Sequence, residues 1–481
     1  MIRIERTRNG ENTIVKDGSY LLSQYSPKRD IERYLSGISL EENYFYILFG
    51  STLGYMSDAL IKRGIKKENI LVYELEDLPL EYFLDSYQGI SRFNNVFLMS
   101  GLIEQKIKEQ KKPYVLCLES YKRAYAGEFE DFSIALKRVI QIAVENIKVS
   151  AFFSKVWFIN FFRNLSLASR KENAFYWEKG KLQKFPALVV ASGPSLDDCI
   201  IQIKENQKGF IIIAVLSAVP SLLWNGVKPD FIFLTDGGVF NKLHGYNIPE
   251  DIPVFASIYA SSAFLSTINN PVIYYDFVEE IANPSFQLKY PSVTIDAGLF
   301  AKSISDKVIF AGFDLACSIT KGSHCSKSVF MSFLERSNNR YNKPYSILTS
   351  FLKRDDLIAI NENKTFSNQQ FYMVKELSER LFNGCEYIEG GVSFNTLRVL
   401  KDFNFDNKKF LDRKEAIKNI CYCFRRNEFF VNNIKKLLEI IAEKIKSREE
   451  IFLTNIFIRE KMGNIDIEPL VEYYLKKIRR I

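Results

Sequence analysis

Short apolar runs separated by amphipathic segments occupy the first part of the chain. Runs of this kind at Tyr44–Gly50 and Ile70–Glu74 flank Ser51–Gly64, in which apolar residues recur at helical spacing. Further strands are predicted over Asn95–Ser100 and Tyr114–Leu118. This order of strand, glycine turn, helix and acid-ended strand predicts a Rossmann-like domain. The turn lacks the GxGxxG pattern, so it is either a weak cofactor signal or a tight turn in a structural domain.

A second series of apolar runs begins near residue 185. The predicted strands are Ala187–Ala191, Phe210–Leu216, Asp230–Thr235, Val254–Ile258, Val272–Tyr275 and Val308–Ala311. Helical segments between several of them are predicted at Leu196–Glu205, Ala218–Asn225 and Ile295–Ser305. Continuous runs rich in β-branched residues are typical of parallel strands that are buried on both faces. The pattern therefore predicts a doubly wound parallel sheet, whose ligands bind at the carboxyl ends of its strands.

Helix formers dominate the remaining segments. Glu128–Arg170 is predicted to be a helical connection that carries many aromatic residues. Near the C-terminus, apolar residues fall on one helical stripe between Ile434 and Ile445, and Leu470–Ile478 is also amphipathic. We therefore predict three domains of an α/β protein: a Rossmann-like domain over 1–165, a central parallel-sheet domain over 166–400, and an all-helical domain over 401–481.

Composition narrows the class of protein. The 481 residues are 47% hydrophobic and 25% charged, which is typical of a soluble globular protein and excludes a mostly disordered one. The net charge of +8 permits an anionic substrate but does not by itself indicate nucleic acid. Seven scattered cysteines without a CxxC pair make a disulfide framework or a zinc site unexpected. No signal peptide or membrane-spanning run is recognised, so a cytoplasmic location is expected.

The sharpest local signal is the junction Val190–Asp197, between a predicted buried strand and a helix. Gly193 allows a close turn, Pro194 suits the first helical position, and Ser192 and Ser195 add hydroxyl groups. Free backbone N–H groups at such a junction bind phosphate well. The alternative is a well-capped helix without a ligand, and the residues alone leave both open.

Polar residues also end the next two strands. Asp236 and Gly237 follow the third strand, where the carboxylate could accept hydrogen bonds from a ribose or sugar hydroxyl. Ser217, at the end of the second strand, shares this position. The alternative for Asp236 is ordinary turn chemistry, because Asp-Gly pairs are common in turns.

Two later strand ends add further candidates. Gly312 and Asp314 follow the strand at 308–311, and Glu389-Gly390 follows a probable strand at Cys385–Ile388, before a helix predicted from about residue 395. Both turns are expected to approach the same crevice.

His324, in a glycine-flanked loop, is a candidate general acid or base near neutral pH. A structural role is the alternative. The chain has only one other histidine, His244, and the pair lacks metal-binding spacing. P-loop, α/β-hydrolase and protein-kinase motifs are also absent from the sequence.

Several of these segments together carry a family resemblance. They are VVASGPSLD at 189–197, the strand–helix–strand segment at 214–236, VIFAGFDLA at 308–316 with GSH at 322–324, and EGG at 389–391. In this order they resemble the motility accessory factor (Maf) flagellin glycosyltransferases, whose superfamily includes the 6-hydroxymethylpterin pyrophosphokinases. The resemblance implies transfer of a pseudaminic- or legionaminic-like nonulosonic acid from a CMP-activated donor to Ser or Thr of flagellin, with no metal or other cofactor.

The central domain also resembles metal-independent bacterial sialyltransferases that use CMP-sialic acid. That resemblance implies nucleotide binding near Gly193, a ribose or sugar near Ser217 and Asp236, and His324 as general base. The catalytic residues that we predict are His324 and Asp314. The nucleotide-sugar-binding residues that we predict are Ser192, Gly193, Pro194, Ser195, Ser217, Asp236, Gly237, Gly312, Glu389 and Gly390.

The sequence departs from the Maf pattern at a few positions. Ala191 and Ser192 replace a usual glycine-containing pair, and Phe313 stands where a polar residue is common. Two further hypotheses stay open, and these departures motivate only the second. One is an ATP- and Mg²⁺-dependent diphosphate transfer that uses Asp236 and Asp314, and the other is a non-catalytic scaffold that binds flagellin.

Overall fold

The structure, a computed structural model, describes residues 2–75, 78–178, 185–282, 288–336, 357–361, 365–400 and 410–426. The chain divides into two compact units, Met1–Ala151 and Phe152–Ile481. Each unit has its own cluster of buried apolar residues. The division falls inside one helix of 45 residues, Ala126–Arg170, which confirms the helical segment predicted from Glu128.

The first unit is built on a four-stranded parallel sheet. A three-stranded antiparallel sheet, formed by the first three strands, precedes it in the sequence. Its strands are β1 (Ile2–Arg6), β2 (Asn12–Lys16), β3 (Ser19–Tyr20), β4 (Tyr44–Phe49), β5 (Ile70–Tyr73), β6 (Ser91–Phe93) and β7 (Lys112–Leu116). Its helices are α1 (Pro27–Ser36), α2 (Tyr55–Lys62), α3 (Ser100–Lys108), α4 (Glu119–Ala124) and α5 (Ala126–Arg170), which continues into the second unit. The parallel strands follow the order β6-β5-β4-β7.

This sheet confirms the Rossmann-like prediction, with one error. The segment Asn95–Ser100 is not a strand, because the Asn95 side chain accepts a hydrogen bond from the Phe97 amide (2.8 Å) and begins a 3₁₀ turn at Val96. The strand of this region is β6, a few residues earlier. A capping side chain thus overrides the apolar pattern that follows it.

The second unit contains a ten-stranded sheet. Its strands, with those of a separate three-stranded sheet, are β8 (Ala174–Trp177), β9 (Ala187–Val190), β10 (Ile211–Val215), β11 (Phe231–Leu234), β12 (Val254–Ala256), β13 (Val272–Tyr274), β14 (Val308–Ala311), β15 (Cys317–Ser318), β16 (Leu357–Asn361), β17 (Thr365–Asn368), β18 (Glu386–Tyr387), β19 (Arg398–Val399) and β20 (Phe424–Arg426). Its helices are α6 (Leu196–Asn206), α7 (Val219–Trp224), α8 (Asn241–His244), α9 (Ser262–Leu265), α10 (Phe277–Ala282), α11 (Val293–Ile304), α12 (Val329–Arg336), α13 (Gln369–Leu381) and α14 (Phe410–Cys421).

The large sheet follows the order β19-β18-β14-β9-β10-β11-β12-β13-β8-β20. All its pairs are parallel except β8 with β20. Every residue of β9 to β12 is buried, as the continuous apolar runs predicted. Because the strands are parallel, the polar residues that follow them lie at one edge of the sheet.

The end of the described chain differs from the predicted pattern. Residues 410–426 begin with the helix α14, but β20 then pairs with β8 as an edge strand of the large sheet. Arg413 fixes α14 there through an ion pair with Asp230 and a bond to the Phe210 carbonyl (2.6 Å). The helix predicted from about residue 395 is wrong, because β19 lies there.

The apolar stripes at 434–445 and 470–478 lie outside the described residues. Within the described ranges, no helix has both the length and the apolar character that crossing a membrane requires.

Candidate active site

The turn after β9 is closed by the protein itself. The Gly193 amide donates to the Gly312 carbonyl (2.8 Å), and the Ser195 amide donates to Asp314 Oδ2 (2.7 Å). The Ser195 hydroxyl donates to the other carboxylate oxygen, Oδ1. The Leu196 amide, next along the chain, donates to the Gly193 carbonyl (3.1 Å). Asp314 is therefore the anion at this helix N-terminus, and a phosphate that used the Ser195 amide would have to displace its carboxylate.

Asp314 has a structural role in this arrangement. Its side chain is 3% exposed, and Ser195 is 4% exposed. Burial raises the pKa of the Asp314 carboxyl, while the two hydrogen bonds from Ser195 act in the opposite direction. The catalytic role of Asp314 stays a prediction. In this structure both of its carboxylate oxygens accept bonds from Ser195, so the side chain joins the loops after β9 and β14.

Four glycines surround this Ser195–Asp314 pair. We call Gly193, Gly312, Gly390 and Gly391 the glycine cluster. A Cβ on Gly193 would lie 2.5 Å from the Gly312 carbonyl oxygen and 2.6 Å from Asp314 Oδ2. A Cβ on Gly390 would overlap Ser195, one on Gly391 would overlap the Asp314 carbonyl, and one on Gly312 (φ +63°) would overlap the Ala191 carbonyl. Close packing of the loops after β9, β14 and β18 therefore explains glycine at these positions.

Beside the closed turn, the ends of β9 and β10 remain accessible. The Ser217 hydroxyl donates to Ser192 Oγ (2.9 Å), and both side chains are half-buried. The Ser192 carbonyl accepts a bond from the Cys325 amide (2.8 Å). The structure thus brings together two predicted residues from different strand ends and places the loop that contains His324 against them.

Asp236 is exposed at the end of β11. Its Oδ1 accepts a bond from the Gly238 amide (2.9 Å), and its Oδ2 accepts one from Asn241 Nδ2 (3.2 Å). These bonds orient the carboxylate but leave it open to solvent, as a residue that binds a hydroxyl group requires. Gly237 is buried, and Glu389 is exposed at the end of β18.

The loop that contains His324 is fastened to the start of α6. The Ser326 amide and hydroxyl donate to the Asp197 carboxylate (2.8 and 3.1 Å), and Lys321 pairs with Asp198 (2.6 Å). The first-turn acids of the helix therefore position this loop. These contacts fix the loop backbone that carries His324.

His324 itself is half-buried. Its Nδ1 lies 2.9 Å from the Ser323 hydroxyl, and its ring packs 5.0 Å from that of Phe330. Burial and, to a smaller extent, the charge of His244 together lower the pKa of His324 to about 4. The imidazole is therefore neutral near pH 7 and can accept a proton.

His244 is a residue that the sequence prediction of the site missed. It lies on α8, and its Nδ1 is buried without a hydrogen-bond partner among the described residues. Burial lowers its pKa, while the carboxylate of Asp236 acts to raise it. The two histidines interact electrostatically although they are 80 residues apart. They are the only histidines in the sequence, and this is the one signal that could have pointed to both.

Two further acids that sequence reasoning missed are Asp276, which follows β13, and Asp296 on α11. Asp276 accepts bonds from the Ser257 hydroxyl (2.5 Å) and the Ile258 amide (2.8 Å), yet burial raises its pKa to about 7. Burial and the charge of Asp276 raise the pKa of Asp296 to about 8. Among the residues that the structure describes, no three His, Cys, Asp or Glu side chains form a group that could hold a metal ion.

Comparison with known proteins gave two positive results. Residues 159–320 match the family model described as 6-hydroxymethylpterin diphosphokinase MptE-like. A solved structure of a MAf glycosyltransferase from Magnetospirillum magneticum AMB-1 aligns with a TM-score of 0.56 at 14% identity, over 96% of this chain and 82% of that chain. No curated protein matches the chain. The resemblance predicted from the sequence is thereby confirmed, and the structural likeness confirms the fold.

Proposed function

We propose that this chain is a glycosyltransferase that moves a nonulosonic acid, pseudaminic- or legionaminic-like, from a CMP-activated donor to a Ser or Thr hydroxyl of flagellin. The observation that supports it is the meeting of Ser192, Ser217, Asp236 and the two histidines at the carboxyl edge of the sheet. That edge is where open α/β sheets bind their ligands. The fold shared with a MAf glycosyltransferase favours this class of reaction over others.

The donor would bind on the accessible side of the closed turn. Asp236, exposed and oriented by Asn241, suits ribose or sugar hydroxyl groups. Since the Ser195 amide is occupied by Asp314, we assign the phosphate to the hydroxyl of Ser192, which accepts a bond from Ser217 and has its own proton to donate. This assignment moves the phosphate from the helix N-terminus to the neighbouring strand ends.

The transfer step requires a base for the acceptor. Neutral His324 would take the proton from the Ser or Thr hydroxyl as the oxygen forms its bond to the anomeric carbon. The bond between that carbon and the phosphate oxygen breaks, and CMP leaves with the electron pair. A charge on CMP beside His324 would raise the pKa of this imidazole and so help it to hold the proton.

The first experiment is a thermal-shift measurement with nucleotides in the absence of divalent metal. We expect CMP and CTP to raise the melting temperature of the whole chain, because a ligand that binds only the folded state stabilises it. ATP with Mg²⁺ should have the smaller effect. No response to any nucleotide would contradict the proposal and favour the non-catalytic scaffold.

The second experiment measures transfer to flagellin by intact-mass analysis. His324→Ala should lower the rate roughly 100- to 10,000-fold, as loss of a general base does. Asp236→Ala should also abolish transfer. Asp251→Ala is the matched control, because Asp251 is an exposed aspartate that precedes β12, at the opposite edge of the sheet, and pairs with Lys228. Full activity in His324→Ala would refute the assignment of the base.

The family match over 159–320 supports a second candidate, diphosphate transfer from ATP. That reaction would use Mg²⁺ held by carboxylates, and Asp236 and Asp314 were the predicted pair. Both oxygens of Asp314 are engaged by Ser195, so this pair does not fit the role. A thermal shift that requires ATP and Mg²⁺ together would nonetheless favour this candidate.

A further inference from the structure

The loop after β11 exposes several large apolar side chains. We call residues 239–246 the rim loop. Val239 is 65% exposed, Phe240 74%, Leu243 51% and Tyr246 78%. Single exposed apolar residues are ordinary on protein surfaces, but four within eight residues form a patch that is typical of interaction sites.

The exposure of these side chains does not come from loose packing of the loop. Asn241, which is 6% exposed, lies in the middle of the loop, and its Nδ2 donates to the Asp236 carbonyl (3.0 Å) and the Gly238 carbonyl (2.8 Å). At the other end, the Gly245 backbone packs so closely on the Phe264 ring that a Cβ would overlap it. The loop is thus fixed from within while its apolar side chains face solvent.

The rim loop adjoins the candidate active site at both ends. Asp236 comes three residues before it, and His244 belongs to it. We infer that the rim loop is the docking surface for the protein acceptor, and this inference rests on the proposed function. An acceptor segment that packs its apolar residues here would bring a neighbouring Ser or Thr hydroxyl to the crevice.

The chemistry of the rim loop favours a polypeptide over the other occupants of such a site. A sugar is too polar to need four apolar side chains, and a nucleobase stacks on one or two rings, whereas Val239 and Leu243 are aliphatic. The loop contains no acidic residue and one exposed cation, Lys242. The complementary segment is therefore apolar, with neutral or acidic residues beside its Ser or Thr.

The test measures binding of flagellin from the same organism to the full-length chain by calorimetry. Phe240→Ser and Tyr246→Ser should each raise the Kd about tenfold, since truncating a central aromatic anchor has an effect of this order. Ile201→Ser is the matched control, because Ile201 is 65% exposed on α6, outside the rim loop. The stabilisation by CMP should be the same in all three variants, and unchanged melting temperatures without ligand would confirm that they fold.

Three outcomes would overturn the inference: wild-type chain that does not bind flagellin, rim-loop variants that bind it as Ile201→Ser does, or rim-loop variants that lose the response to CMP. The last outcome would assign the loop to the donor. Failure of the proposed function looks different, because the wild type would then bind flagellin through the rim loop but show no response to a cytidine nucleotide.

Discussion

The two units of the chain each contain a strand, a glycine turn and a helix, and in both the space above the turn is filled by the protein. After β4, Gly50 has φ +92°, and a Cβ there would overlap the ring of Tyr121. After β9, the Gly193 Cβ position is closed by the Gly312 carbonyl and the Asp314 carboxylate. In both turns the protein occupies the space that a side chain on the glycine would fill.

The nature of the filling group distinguishes the two turns. Tyr121 is fully buried and stacks on Tyr125, so the turn after β4 is closed by an apolar core. Asp314 closes the other turn with a carboxylate, and polar side chains surround the neighbouring strand ends. A glycine turn therefore indicates close approach in both units, whereas the residues at adjacent strand ends, such as Ser217 and Asp236, decide whether a site can form beside it.

The largest expected effect follows removal of the filling carboxylate. Asp314→Ala leaves the buried amide and hydroxyl of Ser195 without their partner, which should lower the free energy of unfolding by about 3 to 5 kcal/mol. Asp314→Asn keeps an acceptor for the amide and a donor for the hydroxyl, so it should cost less than half as much. Chemical denaturation measures both.

Asp236→Ala is the control for this prediction. Asp236 is exposed and its partners are reachable by water, so its removal should change the unfolding free energy by less than about 1 kcal/mol. If Asp314→Ala unfolded no more easily than Asp236→Ala, the structural role that we assign to Asp314 would be incorrect.

Gly50→Ala tests the apolar filling of the first unit. The positive φ and the contact with Tyr121 should together cost about 2 to 4 kcal/mol. In the background of Tyr121→Leu, which removes the ring, the same substitution should cost only the backbone share, about 1 to 2 kcal/mol. Additive effects in this double-mutant cycle would show that the ring does not occupy the space above Gly50.

The sheets were predictable because their strands are buried on both faces. Runs such as Ile211–Val215 leave no polar position, and no other arrangement hides them as well. Local hydrogen bonding was harder to predict. The apolar run after Asn95 predicted a strand, but the Asn95 side chain caps a 3₁₀ helix at Val96–Met99 instead. The strand β20 has three residues at a sheet edge, too few for a periodicity to appear.

The candidate site was predictable in position but not in detail. In the sequence, Asp236 and Asp314 are both acids that follow a strand. In the structure, Asp236 faces solvent, whereas Asp314 accepts a bond from the Ser195 amide. Ser195 and Asp314 are 119 residues apart, so their bond depends on the order of strands in the sheet. His244 carries no motif of its own, and although it follows Asp236 by only eight residues, it is the fold that brings the carboxylate to act on its ring.

Two half-buried acids beside the ten-stranded sheet, Asp276 and Asp296, offer a contrast that depends on pH. Asp296 keeps its proton in the folded chain up to about pH 8, while an unfolded aspartate loses it near pH 4. The folded state binds more protons between these values, so its stability falls as the pH rises through this window. Asp296→Asn removes this dependence and should stabilise the chain by on the order of 2 kcal/mol at pH 8.

The matching measurement compares denaturation of wild type and Asp296→Asn at pH 5, 6.5 and 8. The advantage of the variant should grow with pH. A constant difference would mean that Asp296 titrates as an ordinary surface acid does.

The smallest expected effect concerns His324, whose titration runs in the opposite sense. Its pKa of about 4 in the folded chain lies below the value near 6.5 of an unfolded histidine, because burial disfavours the charged ring. Between these values the unfolded chain takes up a proton that the folded chain refuses, so stability falls as the pH falls from 6.5 towards 4. The stability of His324→Gln relative to wild type should therefore rise as the pH falls from 8 to 5. The rise should be about 1 kcal/mol, because the partial exposure of His324 screens the effect. An equal difference at both pH values would place His324 in solvent and remove it from the polar edge that distinguishes the second glycine turn from the first.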